Sequence, residues 1–246
     1  MKPLFFSLSV AIFFPTVGFG QPFAGGTSQS GSAKVQVKEV LPGRPVDQAV
    51  SALADALRDR EVIVRQAAVW ALREYGPAAK PAIPALAQVV RDPDDYLRID
   101  AAFTLGKLGA DAVPSVVLLL RDPDARVREL AARTLRQIGT KAVAAVPALA
   151  DALYDPDVHV RQGAVFALRE IGPGGKPAIP ALAQTLKDPD GYVRIDAAFT
   201  LGKLGRDAVP SLAIMLRDPD TGTRQLAAQT LRQLGSDISA PDKIQH

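Results

Sequence analysis

Two kinds of apolar segment alternate along most of this chain. One is short, as in VPALADAL (Val146 to Leu153); the other is longer, as in VRQGAVFALREIG (Val160 to Gly172), and the tripeptide D-P-D divides them. In the longer kind, apolar side chains fall three and four positions apart, as Val64, Ala68, Leu72 and Tyr75 do, which is one face of an α-helix. Asp beside Pro is a helix-start signal, because the carboxylate accepts amide protons that the first turn leaves unpaired and Pro fits that turn. Gly76, Gly109, Gly139, Gly172, Gly205 and Gly235 close the longer segments as helix stops. Pro84, Pro114, Pro147, Pro180 and Pro210 lie near the starts of the short segments, where a missing amide proton costs little. The pattern predicts pairs of antiparallel helices joined by turns of about two to four residues.

These pairs recur. D-P-D begins at Asp92, Asp122, Asp155, Asp188 and Asp218, with a degenerate DRE at Asp59, and an Arg follows each first Asp six residues later: Arg65, Arg98, Arg128, Arg161, Arg194 and Arg224. The Asp positions are 33, 30, 33, 33 and 30 residues apart, which gives a longer period of 96 residues. Aligned at that period, Ala49 to Gly139 and Ala145 to Gly235 share 65 identities in 91 positions, including the string RIDAAFTLGKLG at Arg98 and again at Arg194. One hairpin cannot bury its apolar face alone, whereas stacked hairpins share a continuous core. The expected fold is therefore all-α: an α-solenoid, coiled as a right-handed superhelix, of six helical hairpins over residues 46–235, in two duplicated blocks at about 46–141 and 142–237.

From about Val46 to Gly235 these residues resemble HEAT repeats, and more narrowly the HEAT-like repeats first associated with phycobilisome lyases, whose consensus is similar to PALxxxLxDPDxxVRxxAAxALxxIG. The resemblance implies an armadillo-like helical fold whose second helices line the concave side. It also implies that Asp92, Asp122, Asp155, Asp188 and Asp218, with Arg98, Arg128, Arg161, Arg194 and Arg224, form a structural ladder, each Asp capping a helix and each Arg reaching a neighbouring Asp. For function it implies several classes: scaffolds and adaptors, bilin lyases, and deoxyhypusine hydroxylase with its His-Glu metal motifs.

Composition narrows those classes. The chain has no Cys and two His, His159 at a turn and His246 at the last position, and no His-Glu dipeptide, so the hydroxylase metal site has no ligands here. No metal or other cofactor is expected. Lys plus Arg total 29 against 26 for Asp plus Glu, a near balance that does not point to nucleic acid. No nucleophile elbow, phosphate loop or dinucleotide fingerprint is present. Lys80 and Lys176 read as duplicated loop residues, and Asp100 and Asp196 lack a visible acid-base partner.

The N-terminus reads as a targeting signal. Lys2, the apolar run Leu4 to Phe14, Pro15 and the small residues Gly18 and Gly20 describe a signal peptide over residues 1–20, too short to span a membrane. Export to the periplasm or the exterior is expected, with no membrane span after cleavage, and this also weighs against a cytoplasmic bilin lyase. Residues 21–45 read as a flexible linker and residues 236–246 as a loose tail.

The candidate binding residues come from helix geometry. At 100° per residue, Trp70 points about 150° away from the Val64 to Tyr75 stripe. Its equivalents are Phe103, Arg133, Phe166, Phe199 and Gln229, so the chain's only Trp and its only Phe residues beyond position 23 share one outward register. Arg73, Arg136, Arg169 and Arg232 border it. An aromatic strip edged by Arg is the make-up of protein-binding hot spots, so a protein or peptide is the expected partner of a non-catalytic scaffold. The alternative is that the rings only fill a shallow groove.

Overall fold

The computed structural model describes residues 46–239, with side chains described through Gly235. The expected signal peptide, the linker and the last seven residues lie outside the described residues. Among the described residues there are twelve α-helices and no strand. First helices are α1 (Val46–Ala56), α3 (Ile83–Val89), α5 (Val113–Leu119), α7 (Val146–Ala152), α9 (Ile179–Gln184) and α11 (Val209–Met215). Second helices are α2 (Val62–Tyr75), α4 (Asp95–Leu108), α6 (Ala125–Ile138), α8 (Val158–Ile171), α10 (Gly191–Leu204) and α12 (Thr221–Ser239).

The turn within a hairpin is longer than the sequence suggests. Leu153–Asp157, between α7 and α8, shows why: Leu153, Tyr154 and Asp155 still donate amide bonds back to Leu149, Asp151 and Ala152, so the first helix tightens before it stops. Between hairpins the chain runs as a 3-10 segment that opens on Gly at positive φ, 55–77° at Gly76, Gly109, Gly139, Gly172 and Gly205. This segment explains the two repeat lengths. It has seven residues in Gly76–Ala82, Gly139–Ala145 and Gly172–Ala178, but four in Gly109–Ala112 and Gly205–Ala208. The 30-residue intervals are those with the short link. Gly235 departs from the expected stop: α12 runs through it to Ser239.

Each Pro named above occupies the first turn of a first helix. The core is one continuous cluster from Val50 to Leu234, made of Leu, Val, Ile and Ala with Met215. Leu72, Leu105, Leu135, Leu168 and Leu201, at one register position of successive second helices, are fully buried. Second helices pack closely because small residues meet: a Cβ at Gly163 of α8 would lie 2.9 Å from the Cβ of Ala132 of α6. Buried Thr134 donates its hydroxyl proton to the Leu130 carbonyl (2.8 Å) and lies 3.3 Å from that of Ala102 on the preceding second helix, so no polar atom is stranded. Tyr75, expected in the buried stripe, is exposed at the end of α2. The stretch Asp95–Leu119 is long and apolar enough to cross a membrane, yet it is two helices broken at Gly109, and half of it lies in the repeat core.

Candidate binding face

The Asp and Arg of each turn knit the repeats together, by a different route from the one expected. The helix cap is the second Asp of D-P-D: Asp157 accepts the amide protons of His159 (2.8 Å) and Val160 (3.3 Å), and Asp94, Asp124 and Asp190 cap their helices likewise. The first Asp instead folds the turn, as Asp155 does by accepting the Asp157 amide (2.9 Å). Its position outside the helix leaves its carboxylate free to face the neighbouring repeat. Asp155 thus receives a bidentate grip from Arg128 (2.7 and 2.9 Å), Asp188 from Arg161 (2.7 and 3.0 Å) and Asp92 from Arg65 (2.8 and 3.0 Å).

Arg98 and Arg194 do not extend this ladder. Asp122 is held by Arg91 (2.5 Å) and Asp218 by Lys187 (2.5 Å). Arg98 turns to Asp95 and Asp124, while Arg194 donates to the carbonyls of Asp188 and Pro189. Arg224, in the sixth repeat, donates to the carbonyls of Asp218 and Pro219. Both exceptions cross a short link. Lys80 and Lys176 bridge the same intervals, to Asp111 (2.9 Å) and Asp207 (2.5 Å). Their partners respond: the Lys80 ammonium holds the Asp111 carboxyl below the usual carboxylate range, and Lys187, with the Asp220 amide, does so for Asp218. Hydrogen bonds from Thr223 lower Asp220 in the same way.

On the outer side of the second helices, Trp70, Phe103 and Phe199 are exposed by 42–59%, and Phe166 is half-buried. Phe166 is more covered because cations flank it: the Arg136 guanidinium lies 5.8 Å and that of Arg169 4.7 Å from the ring centre. Arg169 also lies 5.7 Å from the Phe199 ring, so it links α8 to α10. Lys107 and Lys203 stand 5.3 and 5.5 Å over Phe103 and Phe199, one turn away on the same helices. Arg133 is exposed and pairs with Glu129 (3.2 Å); Arg73 approaches Glu74 (3.7 Å) beside Trp70; Arg232 is exposed on α12.

The strip is wider than the aromatic register alone. Ile99 and Ile195, one turn before Phe103 and Phe199, are exposed, as are Tyr96 and Tyr192 one turn earlier still. The i, i+3, i+7 spacing from each Tyr through Ile to Phe is legible in the sequence, but the register of the aromatic residues alone does not select it. Around Ile195 and Phe199 the surface sinks into a groove of about 380 Å³, completed by Leu226, Gln229 and Thr230 of α12. Repeat three interrupts the strip, with Arg126, Glu129 and Arg133 at the equivalent positions. Among the described residues, no group of three or more His, Cys, Asp or Glu side chains is placed to hold a metal ion.

Stacked helical hairpins with a shared core and an open outer face define an α-solenoid. More narrowly, the HEAT-repeat family model matches residues 27–106, 83–169, 113–186 and 179–246, and the chain belongs to that family. A search of curated proteins found no matching sequence. Among solved structures, an engineered protein is similar over 76% of this chain and 98% of its own, at 21% identity and a TM-score of 0.50. A designed armadillo repeat protein is similar over 75% and 99%, at 17% identity and a TM-score of 0.47. The complex of CpcE and CpcF of phycocyanin lyase from Nostoc sp. PCC7120 is similar over 83% and 82%, at 27% identity and a TM-score of 0.48.

Proposed function

We propose that this protein is an exported, non-catalytic HEAT-repeat scaffold that holds a protein or peptide on the concave face that its second helices line. The observation that carries this reading is the exposure of Trp70, Phe103 and Phe199 in one register, in a protein that builds its core from Leu, Val, Ile and Ala with Met215. Exposed aromatics in a row, with Arg beside them, are costly to leave in water and are the residues that dominate binding energy in interfaces. Cations over the rings support the same reading, since they hold the side chains in place and lower the entropy lost on binding. Export rests on the N-terminal signal, which places a mature start at Gln21.

The test is affinity capture from the envelope fraction of the native cell, with wild type beside a variant in which Trp70, Phe103, Phe166 and Phe199 are all Ala. The wild type is expected as a species beginning at Gln21 by intact mass, with a partner that the variant loses at an unchanged helical content. Equal capture by both proteins would refute the role of this face.

A further inference from the structure

The duplication allows each exposed side chain to be compared with its twin 96 residues away, and the outer face does not diverge evenly. On α2 and α8 the twins include Ile63 with His159 and Trp70 with Phe166; on α6 and α12 they include Arg126 with Gly222, Glu129 with Gln225 and Arg133 with Gln229. On α4 and α10 the outward residues beyond the first position, where Asp95 faces Gly191, are the same: Tyr96 with Tyr192, Ile99 with Ile195, Asp100 with Asp196, Phe103 with Phe199 and Lys107 with Lys203. The core does not require this identity, because Tyr, Ile, Phe and Lys of both sets are exposed.

Each set has the same layout. Tyr, Ile and Phe form an apolar strip along one helix, with Asp100 or Asp196 beside its N-terminal half and Lys107 or Lys203 at its C-terminal end. The Asp and Lys are seven residues apart, so they lie on one side of the helix at about 10 Å along its axis. Among the described residues neither Asp100, Lys107, Asp196 nor Lys203 forms an ion pair; each Lys stands over the ring of its own strip. The strip on α10 borders the groove that α12 completes.

We infer that α4 and α10 carry two like docking sites, each for an amphipathic helix that lays its apolar face on the Tyr–Ile–Phe strip, with an acid facing the Lys and a base facing the Asp. This deepens the proposed scaffold function and rests on it. Charge complementarity sets the spacing of the guest: its acid and base must also be about seven residues apart, with apolar residues at helical spacing between them. Three repeats separate the sites, roughly 30 Å at about 10 Å per helix layer, so one guest cannot cover both within two or three turns. The scaffold therefore takes two copies of one element, from two partner chains or from one partner that carries it twice.

The test selects a displayed library of random 16-residue peptides on the full chain and titrates the enriched peptide, made synthetically, by calorimetry. Two peptides per chain are expected, with Phe103→Ala and Phe199→Ala each abolishing one site and leaving the other. Lys107→Glu with Lys203→Glu should weaken binding at least tenfold, and exchanging the peptide's acid for Lys should restore it; Lys141→Glu with Arg206→Glu, the same charge change elsewhere, should leave affinity within twofold. Unchanged circular dichroism confirms that each variant is folded. One peptide per chain, or two whose affinity ignores the Lys reversals, overturns the twin sites. If binding is then lost in the four-aromatic variant, the scaffold reading stands without them; a selection that enriches nothing, or peptides indifferent to that variant as well, overturns both.

Discussion

At the residue scale, the two Asp of each turn look interchangeable in sequence and do different work. Asp157 faces into the first turn of α8 and accepts its free amides; Asp155 holds the turn and the guanidinium of Arg128. Replacing Asp157 by Ala should cost about 1 kcal/mol, the ordinary value of a lost cap. Asp155→Ala should cost more, roughly 1–2 kcal/mol even after solvent screening, because it leaves a mostly covered Arg without its bidentate partner. Urea denaturation of the two variants decides: equal costs, or a larger one for Asp157, would contradict this division of roles.

At the element scale, a difference of three residues in a 3-10 link changes which side chains meet. Arg161 and Arg194 occupy the same position of their helices and both donate to the two carbonyls of the preceding turn. Only Arg161 also grips the next repeat's Asp, because a long link lies between them; across the short link, Lys187 takes that role for Asp218. Arg161→Gln should therefore destabilise by about 1 kcal/mol more than Arg194→Gln, the difference being one screened bidentate pair. Thermal melts of the two variants side by side check it, and equal midpoints would remove the link from the explanation.

At the scale of the whole molecule, stability is a sum of neighbour contacts, so anything that loosens several interfaces at once acts on the entire stack. Acid is such an agent. The folded-state pKa values of Asp111, Asp218 and Asp220 lie below their unfolded values. The stability they contribute is thus fully present above the unfolded value, about pH 4, and is lost as pH falls through the lower folded values. The melting midpoint should stay level as pH is lowered from 7 to about 4.5 and fall below it, with Asp111→Asn plus Asp218→Asn making the acid decline shallower. A midpoint that already falls steeply between pH 7 and 5 would point to groups other than these carboxylates.

Helix spacing, D-P-D, the Gly stops and the 96-residue period were enough to place the hairpins, their order and their stacking, because those features act through local backbone geometry and through burial of one apolar stripe. The outward register of Trp70, Phe103 and Phe199 followed from the same arithmetic, since a helix's faces are settled by its own period. Contacts across repeats were a different matter. That Arg128 reaches Asp155 while Arg98 stops short of Asp122, that Arg169 joins Phe166 to Phe199, and that Ile195 borders a groove with Leu226 all depend on how far one hairpin is displaced and rotated against the next. A link of four or seven residues and the close approach of Gly163 to Ala132 set that displacement, and no single hairpin contains the information.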